Sequence, residues 1–542
     1  MGVATLTITS DGTKLDPTIA ILSVEVRREL NRVPEARIRL IDGSIAQRKF
    51  AQSDTAAFEP GKKIAIAVRD GDGPDAALFE GLVVQHAVES RAGESSLRVE
   101  LKDAAFKLTR QRKTAVFRKQ ADDEAIRKLI TDAKLTAGDL EATKTTHDEL
   151  IQFRASDWDF LVSRADASGL VVDVDQGKVS VQPMVASGAA VLTLEHGLDD
   201  VELELELDAS EQYAAMTSAS WDVAKLAPTA PTDAPDPGVT VGNLDASAIA
   251  KQLGGDTFAL VHPAILASGE LTAWAQSRLA RSRLALLRGT AVIQGTAAVK
   301  PRDLVELAGV GDRFNGNAYV SGVTQTIDGS GWRTELRLGL PPEPFAQQPD
   351  ISDLSAGGLV PSVQGLHVGV VGDFEKDPLG EHRVKVLLAV LDKKQGAVWA
   401  RVAKPDAGKD RGQVFWPEVG DEVVVGFVNG DPRQAVMLGA LHGSKNTPPT
   451  DAGPPTKDNK QRAIATKSGL VIAFDDDKKV VTIKTPGGRS VVLDDDNKAI
   501  TLADKKNKIV MNSDGVTIKT DGDFKIDASG KVTIKGSAVD VQ

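Results

Sequence analysis

The sequence contains no cysteine in its 542 residues. Disulfides, thiolate metal sites and cysteine nucleophiles are therefore excluded. No window approaches a run of about eighteen apolar residues, so no segment reads as a membrane-crossing helix. Lys and Arg number 65 against 76 Asp and Glu, a formal net charge of −11, and no basic cluster dominates any region. That argues against nucleic acid as a partner, because phosphate binding needs concentrated Lys and Arg. Neither Gly-x-Gly-x-x-Gly before a helix nor Gly-Lys-Ser/Thr appears, so phosphate-cradling loops are missing too. The histidines stand at 86, 147, 196, 262, 367, 382 and 442, with no two at metal-ligand spacing. Each reads as a packed or solvated side chain, and carboxylate pairs arise by chance among so many acids. No catalytic residue, cofactor or metal is expected. The opening Met1-Gly2-Val3-Ala4-Thr5-Leu6-Thr7-Ile8 has no basic stretch before an apolar core. It reads as a first strand and not as a signal peptide.

What the chain does have is a beat of short apolar pairs from Leu470 to Gln542. Ile472/Phe474, Val481/Ile483, Val491/Leu493, Ile500/Leu502, Ile509/Met511 and Val516/Ile518 come first. Phe524/Ile526, Val532/Ile534 and Val539/Val541 complete the series. A spacing of two puts both side chains of a pair on one strand face. Turn formers such as Pro486-Gly487-Gly488, Asp514-Gly515 and Asp521-Gly522 fill the gaps. A period this short is a solenoid signal.

Such short strands leave an apolar face uncovered and sheet edges open. Three identical chains around one axis cure both faults, each supplying one wall of a triangular prism. Burying a Val, Ile, Leu or Phe side chain is worth roughly 1.5–3 kcal/mol. Nine pairs in three chains then give a gross term on the order of 100 kcal/mol before entropy is subtracted. The pattern predicts a homotrimeric intertwined β-helix, a stiff needle over 461–542. Its core is Val481, Ile483, Val491, Leu493, Ile500, Leu502, Val516, Ile518, Val532 and Ile534. An ordinary one-chain β-domain is the weaker reading, because the repeat is too short and too regular. Asp475-Asp476-Asp477 and Asp494-Asp495-Asp496 fall at turns. They read as solvated charge that blocks edge-to-edge aggregation rather than as a cation site.

A chain of this length needs two to four domains. Residues 1 to about 110 alternate short strands with Gly/Pro/Asp turns, as antiparallel sheet does. Helices are expected over Asp122–Ile130 and from Asp157 to Gly169, the second with Ser156 as N-cap. A second mostly-β region spans about 203–340 and holds a helix from Glu270 to Leu287. Residues 227–238 read as an extended surface loop from their Pro content. Pro-rich linkers are expected at 346–364 and 444–460, around a compact β-module at 365–443.

That module carries Gly369-Val370-Val371-Gly372-Asp373, His382-Arg383-Val384-Lys385-Val386 and Val398-Trp399-Ala400-Arg401-Val402. Phe415-Trp416-Pro417-Glu418-Val419-Gly420-Asp421-Glu422-Val423 and Gly430-Asp431-Pro432 follow. The succession resembles the OB-fold of the VgrG spike family and of phage baseplate spike proteins. Pro417, Gly420, Asp421, Glu422 and Val423 form its motif. Trp399, Phe415 and Trp416 read as packing residues, which speaks against an oligonucleotide-binding surface. Upstream, Gln152-Phe153-Arg154-Ala155-Ser156-Asp157-Trp158 resembles a hub segment of the same family, with Ala155 where Glu often stands.

The resemblance implies a mainly β chain. Its hub, 1–345, would hold two β-barrel-like tube domains, about 1–110 and 203–340, joined by the helical insertion 111–202. The OB-fold and the needle follow. It implies the central spike of a contractile injection machine: a trimer between a hexameric tail tube with baseplate proteins and a target membrane. A PAAR-like tip protein would seat on Val539 and Val541. Effector toxins are further partners of such spikes. The chain would be made in the bacterial cytoplasm without a signal peptide and assembled into a phage-tail-like, released particle. No enzymatic activity is expected, since neither the linker at 444–460 nor the C-terminus has room for the roughly 100 residues of a hydrolase domain. The alternatives are a phage-type tail-spike enzyme or receptor-binding protein, and a toxin-carrying type VI secretion spike.

Overall fold

A computed structural model describes residues 4–91, 94–197, 200–390 and 396–542. The expected first strand runs Ala4–Ser10, and Met1 to Val3 lie outside the described residues. The chain divides into two compact units, Met1–Asp353 and Leu354–Gln542.

In the first unit, thirteen strands among the described residues share one sheet. Strict alternation drives it. Along Ile21–Glu29, Val24 and Val26 are buried while Arg27 faces out. One core gathers Ile38, Leu40, Ile64, Ile66, Leu97 and Leu101, and a second gathers Ala291, Val305, Leu307, Val320 and Leu336. The sheet is continuous between these two regions. Ile21–Glu29 pairs with Glu35–Ile41 on one side and with Gly316–Asp328 on the other, in the register Val24↔Ile327 and Val26↔Gln325. Pairing both sides leaves this strand without an open edge. Gln325 is buried at the seam: it accepts from Trp332 Nε1 and Thr334 Oγ1, both at 2.7 Å, and donates to the Thr296 carbonyl at 2.8 Å.

The insertion has its own core around the helices Asp122–Asp132 and Asp157–Ala167. In the first helix Ala125, Ile126, Leu129 and Ile130 are buried on one face, and Glu124 folds back to accept the Ala121 N–H at 2.9 Å. Ser156 caps the second, its hydroxyl accepting from Asp159 N–H at 3.0 Å. Phe160 of that helix stacks on Phe117 with ring centroids 5.5 Å apart. The long helix runs Ser268–Leu284 and stops short of Leu287. There the chain joins the sheet instead, pairing Leu287 with Leu207. The expected loop at 227–238 contributes two brief strand pairs, at Ala227–Pro228 and Thr232–Asp233, to the strand Ala215–Asp222.

The second unit begins with a closed five-stranded barrel: His367–Val371, Val384–Leu388, Val398–Val402, Glu422–Phe427 and Ala435–Ala440. All neighbours are antiparallel except Val398–Val402 and Ala435–Ala440, which are parallel. Val371, Val386, Ala400, Val423, Val425 and Met437 fill the interior. Gly369 is required there, since a Cβ would stand 2.5 Å from Val386 Cγ1.

The loop into the second barrel strand is organised by Asp377. Its carboxylate takes the Arg383 guanidinium at 2.6 Å and the backbone N–H groups of Leu379, Glu381 and Arg383. The Arg383 hydrogen bonds, then these N–H groups, hold the Asp377 carboxyl well below the usual carboxylate range. A depressed carboxyl stabilises the fold above its unfolded value near 3.8 and ceases to as pH falls through the folded value. Wild type is therefore expected to outmelt Asp377→Asn from neutral pH down to about pH 4, with the gap closing in stronger acid. A melting difference independent of pH would show that the charge is not what organises the loop.

Seven antiparallel strands complete the unit: Gln461–Ala465, Val471–Asp475, Val480–Lys484, Ser490–Asp494, Ala499–Ala503, Asn507–Asn512 and Gly515–Thr520. The last three expected pairs, beginning with Phe524/Ile526, lie beyond Thr520 in residues assigned to no strand. Gly515–Thr520 is thus the last strand of the sheet and leaves one edge open.

Candidate assembly surfaces

The segment Pro417–Val423 acts as a turn that closes the barrel. Pro417 is buried, and Gly420 adopts φ +92°. That left-handed conformation favours glycine strongly. Asp421 Oδ2 accepts from Glu418 N–H at 2.8 Å and shuts the turn. Gly420 N donates to the Val371 carbonyl, and Val371 N to the Asp421 carbonyl, each at 2.9 Å. Glu422 pairs with Val370, and Val423 drops into the core at 0% exposure. Phe415 and Trp416, expected as core or packing residues, are not core; they are 59% and 48% exposed. The barrel is already filled by small aliphatic residues, so this loop stays outside it. Lys404 holds it there, donating to the Phe415 carbonyl and lying 5.1 Å from the Trp416 ring centroid. Burial lowers the Lys404 pKa.

The seven terminal strands keep one register throughout. Phe474, Val481, Leu493, Ile500, Met511 and Val516 form one cross-strand column. Ile472, Ile483, Val491, Leu502, Ile509 and Ile518 form the next. Both columns share a face, and the residues between them, such as Thr482, Thr501 and Thr517, take the other. In the single chain the two-column face is uncovered: Ile483 is 46% exposed, Leu493 44%, Ile500 39% and Leu502 40%, while Val481 and Val491 are half-buried. Val516, Ile518, Val532 and Ile534 are exposed by half or more, and Val539 and Val541 by 60% and 88%. The sheet is tied to the rest of its unit by Lys467–Glu418 at 2.8 Å and Lys484–Asp451 at 2.5 Å.

The first unit holds charged clusters that pin elements together. Asp122 takes Arg164 at 2.7 and 3.1 Å, Ser168 Oγ at 3.1 Å and His147 Nε2 at 3.3 Å, and Arg164 reaches Glu270 at 3.0 Å. Burial pushes the Asp122 carboxyl up, but Arg164 and then His147 outweigh it and hold it below its ordinary value. Ser168 bonds the carboxylate rather than the imidazole, so the cluster is an ion-pair knot between helices and not a nucleophile–base pair. A cleft of about 670 Å³ contains Arg27, Glu29, Arg32, Glu35, Lys102 and Arg337. Its charges neutralise one another through Arg337–Glu29, Arg32–Glu29 and Lys102–Glu35. Among the described residues no three His, Cys, Asp or Glu side chains are placed to hold one metal ion.

Residues 1–329, over half of the chain, match the Alg8 N-terminal domain. Residues 367–442 match the type VI secretion system/phage-baseplate injector OB domain, and residues 480–542 the phage baseplate V C-terminal trimerisation domain. The chain belongs to the Alg8 N-terminal domain family and is a VgrG-like spike protein.

Curated relatives of this spike protein include the type VI secretion system spike protein VgrG1c of Pseudomonas aeruginosa, 29% identical over 85 residues. That match covers 15% of this chain and 12% of the relative. The actin cross-linking toxin VgrG1 of Vibrio cholerae is 42% identical over 55 residues, 10% of this chain and 5% of the toxin. The spike protein thus aligns with only a small part of the length of these relatives. Among solved structures, the 43 kDa tail protein of a Shewanella oneidensis prophage superposes with a TM-score of 0.48 at 11% identity. It covers 62% of this spike protein and 99% of that chain. The Francisella PdpA–VgrG complex gives a TM-score of 0.42 at 10% identity, over 96% of this chain and 80% of that one.

Proposed function

We propose that this protein is the homotrimeric central hub and spike of a contractile injection machine. Its terminal sheet would serve as a membrane-puncturing needle, and its hub would connect a hexameric tail tube and baseplate proteins to that needle. The working parts are a hub over 1–345 with tube regions at about 1–110 and 203–340, an OB-fold over 365–443 and a needle over 461–542, with linkers between. The observation that carries the reading is the pair of apolar columns on one face of the terminal sheet. A face of Phe, Ile, Leu, Val and Met that a single chain leaves open is a surface built for other chains. The match of residues 480–542 to a trimerisation domain supports the same number of copies.

Three such walls, each with its two-column face inward, form a prism with a dry interior. Residues 521–542, assigned to no strand in one chain, would add the last strands of that prism. The work is mechanical: a sheath supplies force and the stiff prism transmits it, with no catalytic step in this chain. The exposed Val539 and Val541 are the seat proposed for a PAAR-like tip protein. Effector toxins are carried by docking on such a hub, and the assembly is released as a phage-tail-like particle.

Light scattering on the purified full chain tests the reading. A particle of three times 57.3 kDa is expected. A folded, stable 57.3 kDa monomer at micromolar concentration overturns it. The same measurement after co-expression with a small tip candidate reads that partner as added mass.

A further inference from the structure

The turns of the terminal sheet alternate between two rims, and the rims differ in charge. One rim carries the turns at 476–479, 495–498 and 513–514; the other carries those at 466–470, 485–489 and 504–506. On the first rim Asp475, Asp494, Asp495 and Asp496 take part in no ion pair among the described residues. On the second, Arg489, Lys505, Lys506, Lys508 and Lys519 likewise have none. Lys460, Arg462, Lys478, Lys479 and Lys498 moderate the first rim, and Asp504 and Asp521 the second, but the first stays net acidic and the second net basic.

This matters if three copies close a prism, a premise taken from the proposed function. Walls of a prism meet rim to rim. With an odd number of identical walls, like rims cannot meet at every corner. Each corner therefore joins the first rim of one copy to the second rim of the next, a head-to-tail contact that closes on itself. Rotation about the axis also preserves height. The turn at 495–498 follows the fourth strand, while those at 485–489 and 504–506 follow the third and the fifth. It thus falls between these two turns of its neighbour, about 4.8 Å from each along the axis. That is within reach of Arg and Lys side chains.

We propose that complementary turn rims hold the corners of the trimer: Asp495 and Asp496 of one copy seat between Arg489 and Lys505 of the next. Among the described residues none of these four side chains is in an ion pair, though Asp504 lies near Arg489. Asp494 is occupied by its own turn, accepting the Asn497 N–H at 2.9 Å and the Asn497 side-chain amide at 2.8 Å. Among the described residues the Asp495 and Asp496 carboxylates have no hydrogen-bond partner. Lys505 lies over Gly488, its carbons 3.6 Å from where a Cβ would stand, next to Arg489. A groove of about 370 Å³ opens on this basic rim, with Arg489, Asp504 and Lys508 on its walls. The apolar interior supplies the adhesion, and the rims set the direction in which the chains close.

The test uses the full chain in three variants: Asp495→Lys with Asp496→Lys, Arg489→Glu with Lys505→Glu, and all four together. The trimer dissociation constant is read by sedimentation at the urea concentration that half-dissociates wild type, in low and high salt. Each two-residue reversal is expected to weaken the trimer at least about tenfold in low salt, with high salt narrowing the gap. The four-residue swap is expected to return it to within about twofold of wild type. Reversals that change nothing, or a swap that restores nothing, overturn the rim pairing and leave the trimer standing. A monomeric wild type overturns the trimer, and the rim pairing with it.

Discussion

Ile518→Asp or Val516→Asp is expected to abolish assembly, whereas Thr517→Asp assembles like wild type. Ile518 pairs with Ile509 and Val516 with Met511 on the two-column face, while Thr517 pairs with Val510 on the other. In the single chain Val516 is 66% exposed and Ile518 52%, so a carboxylate there costs an isolated chain little. In a closed prism the same substitution sets three carboxylates at one height inside an apolar interior. Each unpaired buried ion costs several kcal/mol. Three at one level rival the whole stability of an ordinary domain, about 5–15 kcal/mol. Trimer yield by size exclusion with light scattering reads the effect, and circular dichroism checks that the chain has folded. Equal yields for the inner and outer variants would show that the wrong face has been assigned to the interior.

The terminal sheet was legible because its signal is local. A spacing of two sets the face, Gly- and Asp-rich turns set the strand length, and together they bring the six pairs from Ile472/Phe474 to Val516/Ile518 into register. Ser156 and Asp159 announced the second helix for the same reason, since a cap and its first turn sit three residues apart. What escaped depends on distant partners. Nothing near Leu287 says that its backbone will pair with Leu207, so the preceding apolar spacing extends the helix too far. Phe415 and Trp416 look like core until the barrel proves to be filled by valines. The continuity of the hub sheet rests on Ile21–Glu29 meeting Gly316–Asp328, a pairing that alternation permits but does not name. The turn charges are visible as Asp runs, yet their division between two rims needs the meander, because only the fold sorts turns onto rims.

The Asp166–Arg281 pair is the least legible feature and carries the second large effect. Asp166→Ala is expected to destabilise the first unit by about 3–5 kcal/mol. The two residues are 115 positions apart, Asp166 on the helix Asp157–Ala167 and Arg281 on Ser268–Leu284, and they are 6% and 3% exposed. The carboxylate takes the Arg281 guanidinium and the Phe345 N–H at 3.0 Å, while Arg281 also donates to the Pro341 carbonyl at 3.2 Å. One ion pair thus joins two helices to the segment 341–345, whose Phe345 is buried in the helical core. Deleting the carboxylate strands a guanidinium in a site that already holds Arg278 nearby, and it orphans a buried N–H. Replacing both partners with Asp166→Leu and Arg281→Met removes the charge along with its partner. That double variant is expected to regain most of the loss, because an apolar substitute for a whole buried pair is often close to neutral. Urea unfolding of the full chain, followed by the fluorescence of its six tryptophans, of which Trp158 and Trp274 stand on the same two helices, reads the difference. A single variant within about 1 kcal/mol of wild type means that the pair does not hold the segment in place. A double variant as unstable as the single one means that lost packing, and not a stranded charge, is the cause.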